Sequence, residues 1–527
     1  MAPRGVVVVE LRVVMGGALA YAAFCAVRER YRRTPYASRG TTLVGRLLRR
    51  LGVSLGQTVA LDKAQILADR RRHTCANQSI SYVNTDPLVI VSGSGATLVD
   101  EQGRRYLDTR NNVAHVGHAH AVVAEAVAQQ VRCVNTNTRY LHPNLVALAQ
   151  GLLETMPKGS PLRDGVVFFV NSGSEANDLA ARLAQKAWRG EGAAGMLVVD
   201  RAYHGHTVAT IGLSPYKYEH ASFGGRGKPE NVEAVPAPDV YRGVYRGLDA
   251  AIRYASTVDA AVSALAARGF GPAAFFVESG MSVAGVLVAP RGYMKAAYAK
   301  VRALGGICVA DEVQTALGRT GAFWYAFEAH GVCPDIVTMG KPMGNGMPLA
   351  AVICSARIAR AFEAGPEYFN TFGGNPVCCA AGLAVLDVIR NEGLRDNAKA
   401  VGDWLRAQLE ALVPPAMPAR RGRDADAPQC FVGDVRGAGL FIGIDLVSNV
   451  ETRAPATLEA SFVCSRLVSK HRILTSVDGP FDNVIVVKPP LCFSKADARR
   501  FVSALAAELD HVNTLPSRND LGGHTPT

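Results

Sequence analysis

Short apolar runs alternate with segments of helical period over the middle of the chain, from about Ala121 onward. The run VVFFV (Val166–Val170) is followed by a polar turn and then by EANDLAARLAQKAW, in which Leu179, Leu183 and Ala187 repeat at helical spacing. Further short apolar runs lie at Met196–Val199, Ala273–Val277, Ile307–Ala310 and Asp335–Met339. Strands that alternate with helices predict an α/β domain with a mostly parallel sheet, covered by helices on both faces.

The flanking segments predict a second, smaller α/β domain. A helix is expected to start within Lys63–Arg72, and short strands joined by turns are expected over Leu88–Asp108. Asp387–Leu412 is largely helical in pattern, and strands resume over Val432–Val447. We therefore divide the chain into a leader (1–62), an N-terminal segment that packs with the small domain (63–120), a large domain (121–376), a small C-terminal domain with a surface insertion at 414–429 (377–510), and a polar tail (511–527) that is expected to fray after Leu515.

The leader holds most of the chain's excess positive charge. The 527 residues carry 57 Lys and Arg against 45 Asp and Glu, a net charge of +12, yet ten of the arginines and only two of the acids lie in the first 60 residues. The remainder is nearly balanced, so a nucleic-acid partner is not expected. The leader is apolar over Gly5–Val27 and then basic, which favours a mitochondrial presequence; a membrane anchor, or a misassigned start codon on a cytoplasmic protein, is the alternative. Membrane contact is expected only through a retained leader.

The eleven cysteines are scattered and include no CxxC pair. A disulfide framework or a structural zinc site is therefore not favoured, and no metal site is predicted. The cysteines are expected to be free thiols in a reducing compartment.

Candidate chemistry lies directly after the predicted strands, where ligands bind in open α/β sheets. A Ser-Gly-Ser turn that opens a helix offers free N–H groups to a phosphate, although the same turn is also an ordinary helix start capped by Ser174. An isolated lysine is usually a solvated surface charge, and a buried acid is usually half of a structural ion pair. The candidates are Ser172, Gly173 and Ser174 after Val170, Tyr203 and His204 after Asp200, Glu278 after Val277, Asp311 after Ala310, and Lys341 after Met339.

Together these residues supply what pyridoxal 5′-phosphate requires: a phosphate cradle, a lysine, a buried acid and an aromatic face. Five motifs carry a resemblance to a known family. They are NSGSEAN (Asn171–Asn177), AYHGHT (Ala202–Thr207), ADEVQTALGRTG (Ala310–Gly321), DIVTMGKPMGNG (Asp335–Gly346) and NTFGGNP (Asn370–Pro376). In order and spacing, the chain resembles class III aminotransferases of fold type I from about Ile66 to Leu509. The resemblance implies a large domain with a mostly parallel central sheet and a smaller α/β C-terminal domain.

The resemblance also implies a role for each candidate around the cofactor ring. Lys341 would hold the cofactor covalently and move protons, and Asp311 would pair with the pyridine nitrogen. Gln314 would bond to the phenolic oxygen of the ring, and Tyr203 would stack on its face, next to His204. Glu278 matches the family's acid near the substrate, although the usual Glu-Pro is here Glu-Ser.

On the phosphate side, the resemblance implies that Gly173 and Ser174, next to Ser172, bind the cofactor phosphate. Thr371 would reach the phosphate of the cofactor in a neighbouring subunit. A homodimer with shared sites is therefore expected, and a tetramer built from such dimers is the alternative assembly.

Within the family, the chain is similar to the ethanolamine-phosphate and 5-phosphohydroxylysine phospho-lyases. The similarity is carried by stretches outside the cofactor motifs, including NNVAHVGHAH (Asn111–His120), APDVYRGVYRG (Ala237–Gly247) and KPPLCFSKADA (Lys488–Ala498). Aminotransferases of this class usually carry an arginine three residues before the Pro-Pro pair, where it clamps a substrate carboxylate. Here that position is Val486, and Lys488 lies beside the prolines as a point charge. The phospho-lyases usually have a lysine there too, but often also a second at the place of Val486.

These features predict a pyridoxal-phosphate-dependent phospho-lyase that removes inorganic phosphate and ammonia from a 2-aminoethyl-phosphate unit. Phosphoethanolamine would give acetaldehyde, and 5-phosphohydroxylysine would give 2-aminoadipate semialdehyde. The alternative is a class III aminotransferase that passes the amino group to a keto acid. The candidates for contact with the phosphorylated amine are Asn112, His115, Arg139, Lys217, Arg242 and Lys488.

Overall fold

The computed structural model describes residues 62–82, 86–224, 226–416 and 427–522. The leader therefore lies outside the described residues, apart from Asp62, as do most of the predicted insertion and the end of the tail. The strands are β1 (Ile90–Ser94), β2 (Thr97–Asp100), β3 (Arg105–Asp108), β4 (Val166–Val170), β5 (Ala193–Val199), β6 (Val232–Val235), β7 (Phe270–Glu278), β8 (Ile307–Asp311), β9 (Ile336–Met339), β10 (Ala350–Cys354), β11 (Phe431–Ala438), β12 (Phe441–Asn449), β13 (Ala454–Pro455), β14 (Ile473–Leu474), β15 (Ser476–Asp478) and β16 (Val484–Val487).

The α-helices are α1 (Lys63–His73), α2 (Ala121–Cys133), α3 (Pro143–Thr155), α4 (Gly173–Ala187), α5 (Val208–Gly212), α6 (Pro215–Tyr218), α7 (Ala250–Ala266), α8 (Tyr293–Ala303), α9 (Ala356–Glu363), α10 (Pro376–Asn391), α11 (Leu394–Glu410), α12 (Thr457–His471) and α13 (Lys495–Val512). Short 3₁₀ turns lie at Ala221–Phe223, Ala326–His330, Lys341–Gly344 and Arg518–Leu521. Among the described residues, no helix combines the length and the apolarity needed to cross a membrane.

The described residues divide into two compact units, the first of residues 62–82, 86–92 and 98–105, the second of 93–97, 106–224, 226–416 and 427–522. In the first unit, α1 begins after Asp62, whose side chain accepts the N–H of Ala64 at 2.9 Å, and it buries none of its residues. In the second unit, the end of β3 pairs in parallel with β14 through Leu107 and Asp108. The domain boundaries drawn from the sequence remain a prediction.

A seven-stranded sheet forms the centre of the second unit, in the order β4-β10-β9-β8-β7-β5-β6. All its strands run in parallel except β10, which is antiparallel to both β4 and β9. Alternate residues of β7 face opposite ways: Phe276 joins the cluster that contains Leu179 of α4, and Phe275 lies 6.3 Å from the ring of Tyr298 in α8. Helices thus cover both faces, and the predicted mostly parallel α/β fold is confirmed.

An antiparallel sheet of β11, β12, β16 and β15 follows in the C-terminal part, with β13 on β12. The continuous helical pattern over Asp387–Leu412 forms two helices, because Gly393 takes a left-handed conformation (φ 61°) between α10 and α11. The tail predicted to fray is folded as far as it is described: a 3₁₀ turn ends at Leu521, which is 1% exposed. The sequence interpretation missed this single apolar anchor in a polar segment.

Candidate active site

A cavity of about 340 Å³ opens at the carboxyl ends of β4, β7, β8 and β9. Parallel strands bring their carboxyl ends to one edge of a sheet, so residues far apart in sequence meet there. Of the predicted cofactor residues, all but Thr371 line this cavity: Ser172, Gly173, Ser174, Tyr203, His204, Glu278, Asp311, Gln314 and Lys341.

Asp311 lies at the end of β8 and is held by two side chains. Its Oδ2 accepts a hydrogen bond from Nδ2 of Asn177 at 2.7 Å and lies 2.8 Å from Nδ1 of His204. The oxygen of the Asn177 amide is fixed in turn by the hydroxyl of Thr338 at 2.7 Å. Because Oδ1 also accepts the N–H of Val313 at 3.0 Å, the buried carboxylate is oriented from both oxygens.

The turn after β4 opens α4 at the cavity wall. The helix cap is Ser172, whose hydroxyl accepts the N–H of Glu175 at 3.2 Å, so the alternative interpretation with Ser174 as cap is wrong. The Ser174 hydroxyl instead accepts the N–H of His206 at 3.0 Å. Gly205 (φ 144°) lies so close that an added Cβ would meet the Ser174 side chain at 2.7 Å. Free N–H groups at this helix start suit an anion.

Glu278, at the end of β7, places a second carboxylate in the cavity. Its Oε1 accepts the N–H of Tyr203 at 2.9 Å, and Oε2 accepts the N–H of Ser282 at 3.4 Å. Burial, together with the charge of Asp311, raises the pKa of Glu278 to about 7, although His204 opposes the shift. Glu278 is therefore a much weaker acid than an exposed glutamate.

Lys341 begins the 3₁₀ turn after β9 and lines the cavity. Burial and the nearby ammonium of Lys488 lower the pKa of Lys341 to about 8, while Asp311, Glu278 and Asp478 act in the opposite direction. Near neutral pH, a lysine with this lowered pKa is deprotonated in a much larger fraction of molecules than an exposed lysine is, and the deprotonated amine is the reactive form.

Lys488 reaches the same region from the segment after β16. Its amine donates to the Ser282 hydroxyl at 2.8 Å and lies 3.7 Å from a carboxylate oxygen of Asp478. Burial lowers the pKa of Lys488 and raises that of Asp478. Val486, at the position of the aminotransferase arginine, is fully buried with Val286 and Phe441.

The remaining substrate candidates divide into three groups. Asn112 donates to Oε1 of Gln314 at 2.6 Å, and the Lys217 amine lies 5.8 Å from the centre of the Tyr203 ring, so both are next to the cavity lining. His115 is instead bonded to Leu317 O at 2.8 Å and to Arg319 at 3.0 Å. Arg242 forms a buried ion pair with Asp445 at 2.5 Å.

Arg139 and Thr371 are exposed and lie outside the cavity lining. The guanidinium of Arg139 lies 4.3 Å from the centre of the Phe369 ring. Asn370, which precedes Thr371, accepts a hydrogen bond from Asn171 of the cavity wall at 3.0 Å. The structure therefore commits His115 and Arg242 to internal contacts, and it leaves Arg139 and Thr371 at the surface.

Three residues of this region were missed by sequence reasoning. Asn177 stands in a quoted motif, but only the fold shows that it bonds to Asp311. Asp478 and Ser282, the partners of Lys488, carry no sequence signal, because they lie 10 and 206 positions away from it along the chain.

The cavity fits pyridoxal phosphate. A lysine amine, an oriented carboxylate and a helix start approached closely by Gly205 lie around one space, and they match the aldehyde, the ring nitrogen and the phosphate of the cofactor. Gln314, steadied by Asn112, adds an amide at the same wall.

Comparison with known proteins gives the same answer. The chain matches the family Aminotransferase class-III over residues 80–509. It is 44% identical over 448 residues to "Alanine--glyoxylate aminotransferase 2-like" of Drosophila melanogaster, covering 84% of this chain and 86% of that protein. It is 38% identical over 469 residues to "Ethanolamine-phosphate phospho-lyase homolog 1" of Caenorhabditis elegans, covering 86% and 94%.

Among solved structures, the chain is similar to a phospholyase from Arthrobacter in complex with phosphoethanolamine. The TM-score is 0.75 and the identity 36%, over 86% of this chain and 100% of that one. The motifs, the fold and the family match agree, and the chain belongs to the class III aminotransferase family of pyridoxal-phosphate-dependent enzymes of fold type I.

Proposed function

We propose that this enzyme is a phospho-lyase that removes inorganic phosphate and ammonia from a 2-aminoethyl-phosphate unit. The observation that carries the proposal concerns the end of β16. The position of the aminotransferase arginine is occupied there by Val486, and the nearby positive charge comes from Lys488. Val486 offers no fork for a carboxylate, and the buried amine of Lys488 lies beside Ser282, close enough to Lys341 to lower its pKa. The similarity to a phospholyase in complex with phosphoethanolamine supports the same substrate class.

When bound, pyridoxal phosphate supplies an electrophilic carbon for the substrate amine and a ring that accepts electrons. Lys341 then removes a proton from the carbon that bears nitrogen. Its buried amine, with a pKa of about 8, is a suitable base near neutral pH. Asp311, oriented by Asn177 and His204, holds its negative charge toward the position of the ring nitrogen.

Loss of that proton leaves an electron pair that can expel the group on the adjacent carbon. That pair forms a carbon–carbon double bond, while the C–O bond to the phosphate breaks and its own electron pair leaves with inorganic phosphate. The enamine that results takes up one proton on its terminal carbon, which replaces the proton removed by Lys341, and water hydrolyses the imine to an aldehyde and ammonia. The elimination involves no net oxidation or reduction, so no oxidant or amino acceptor is consumed.

Two lysines are the candidates for contact with the substrate phosphate. Lys488 lies outside the cavity lining, where it donates to Ser282, but its charge acts on Lys341 of the lining. Lys217 lies over the rings of Tyr216, at 4.9 Å, and Tyr203, at 5.8 Å. An ammonium group has three N–H donors, so one that is only partly engaged by its neighbours can still donate to a phosphate oxygen. We assign Lys488 as the main contact and Lys217 as a contact from the rim; Asn112 steadies Gln314.

The test is incubation of the purified, cofactor-loaded enzyme with phosphoethanolamine or 5-phosphohydroxylysine, with no keto acid present. Equal amounts of phosphate and ammonia are expected. Lys488→Met should raise the KM for the phosphorylated amine by about tenfold or more, since a charged hydrogen bond contributes roughly 1.5–3 kcal/mol. Arg242→Lys, in an ion pair outside the cavity lining, is the matched control and should leave KM unchanged.

The second candidate is transamination, which the Drosophila relative's name favours. It would use the same cofactor residues but would need an amino acceptor. Amino transfer from alanine to glyoxylate, with no phosphate release from either phosphorylated amine, would contradict the lyase proposal.

We also propose that the basic leader directs the protein to mitochondria. Residues 1–62 fused to a fluorescent protein should direct it there, whereas the same segment with its arginines changed to glutamine should not. Retention of the intact fusion in another membrane would support an anchor instead.

A further inference from the structure

Arg319 is the largest fully buried side chain in the described residues, and all its acceptors are uncharged. Its guanidinium donates to the carbonyls of Leu440, at 3.3 Å, and Pro489, and to Nδ1 of His115 at 3.0 Å. These acceptors belong to three segments that are far apart in sequence. A buried guanidinium costs several kcal/mol in desolvation, so stability alone does not explain its presence.

The contact with Arg319 fixes the state of His115. Arginine offers only donors, so Nδ1 of His115 must be an acceptor and Nε2 must carry the proton that is donated to Leu317 O. Burial, with the charge of Arg319, holds the pKa of His115 well below its usual range. His115 therefore stays neutral and keeps this geometry over the pH range of activity.

The segments joined by Arg319 carry residues of the candidate site. The N–H of Lys488 donates to Thr109 O at 2.6 Å, and the N–H of Leu491 donates to His115 O at 2.7 Å. The Thr109–His115 segment is thus bonded to the Lys488–Leu491 segment at both of its ends. Arg319 adds a further link between the same two segments, because it donates hydrogen bonds to the His115 ring and to Pro489 O.

We infer that Arg319 is a positioning residue that acts through His115 and Pro489 to fix where the amine of Lys488 stands relative to Lys341. This inference rests on the proposed use of Lys488 in the site. A guanidinium fork reaches several acceptors at fixed angles, and a lysine at position 319 would reach fewer of them at once. The side chains of Arg319 and His115 are both fully buried and engaged with protein groups, so neither contacts the substrate or the cofactor.

The test is a double-mutant cycle of Arg319→Lys and Lys488→Met in the holoenzyme. Arg319→Lys should raise the KM for phosphoethanolamine by about tenfold, with less effect on kcat, because it displaces a charged contact. In the Lys488→Met background the same change should add less than about twofold. If the KM increase of the double variant equals the product of the two single increases, the two residues act independently and the inference is overturned.

A second readout needs no substrate: the pH at which the visible absorbance of the bound cofactor titrates. Lys488→Met removes a positive charge near Lys341, so the midpoint should rise, and Arg319→Lys should move it in the same direction. If Arg319 were merely structural, the variant would lose thermal stability but keep the wild-type midpoint. Because this titration requires no turnover, it tests the inference even if no phosphate is released.

Two further variants complete the design. Arg242→Lys alters another buried guanidinium that joins distant segments, and it should leave both KM and the midpoint unchanged. If Arg319→Lys does not fold, His115→Phe keeps a ring of similar size and removes the acceptor of Arg319. A folded His115→Phe enzyme with wild-type KM and midpoint would also overturn the inference.

Discussion

Glu278 and Asp311 end neighbouring strands, β7 and β8, and bring two carboxyl groups into one cavity. The carboxylate of Asp311 is held by Asn177 and His204, whereas Glu278 accepts two backbone N–H groups, and burial raises its pKa to about 7. The negative charge of Glu278 helps to retain a proton on Lys341. Its loss should therefore make Lys341 more acidic.

We predict that Glu278→Gln lowers the midpoint of the cofactor's absorbance titration by roughly one pH unit, because an opposite charge nearby is removed. Glutamine keeps an acceptor for the N–H of Tyr203, so folding should be retained. Glu233→Gln is the control, since Glu233 pairs with Lys228 and Arg268 outside the cavity lining. An unchanged midpoint in Glu278→Gln would contradict the electrostatic argument.

Individual site residues were predictable where they follow a strand. Lys341 and Asp311 stand directly after apolar runs, and their side chains meet because parallel strands end at one edge. The assignment of His115 and Arg242 to the substrate was less successful, because a sequence shows a polar side chain but not its hydrogen-bond partner. The partner of His115 is Arg319, and the partner of Arg242 is Asp445, both far away along the chain.

Helix α4 depends on a glycine at its first position. A Cβ on Gly173 would lie 2.7 and 2.8 Å from the two methyl groups of Val313, on the loop after β8. Gly173→Ala should therefore push the helix start away from the cavity wall. The expected cost of overpacking is about 1–3 kcal/mol, or roughly 5- to 150-fold in cofactor affinity.

Val313→Ala supplies the rescue for that change. It removes both methyl groups, so the Gly173→Ala/Val313→Ala enzyme should regain most of the cofactor affinity, measured by fluorescence titration of the apoenzyme. If the double variant binds no better than Gly173→Ala, the glycine is needed for a reason other than this contact.

Strands of the large sheet were predictable to different degrees. VVFFV forms β4 over the residues expected, because five consecutive apolar residues between turn signals leave little choice. Two strands, Val232–Val235 and Ala350–Cys354, were not singled out. β6 is a four-residue edge strand, and the antiparallel direction of β10 follows from its pairing with β4 and β9 rather than from local sequence.

The C-terminal 3₁₀ turn is held by one apolar side chain. Leu521 is 1% exposed and belongs to the main core cluster, and Arg518 lies 3.5 Å from Glu459 of α12. We predict that Leu521→Ala destabilises the protein by about 2–5 kcal/mol, as large-to-small core changes do, with a lower melting temperature. Leu458→Ala removes a leucine that is 44% exposed, and it should change the melting temperature far less.

On the scale of the whole molecule, exposed apolar side chains lie on two segments that meet beside the cavity. Leu141 is 104% exposed and Phe372 is 69% exposed, and the contact of Arg139 with Phe369 brings their two segments together. Asn370 connects the second segment to Asn171 in the cavity wall. Exposed apolar side chains on neighbouring segments are typical of subunit interfaces. We propose that a second copy covers this surface in a homodimer.

In that dimer, Thr371 of one subunit would contribute to the phosphate site of the other, as the family resemblance implies. We predict that Leu141→Asp, which buries an unpaired charge in the interface, shifts the protein to a monomer in analytical ultracentrifugation and weakens cofactor binding at the same time. Leu248→Asp changes a leucine of equal exposure, 107%, on another segment, and it should retain both the dimer and the cofactor. A monomeric Leu141→Asp enzyme with wild-type cofactor affinity would show that each subunit holds its cofactor alone, and Thr371 would then have no part in the site.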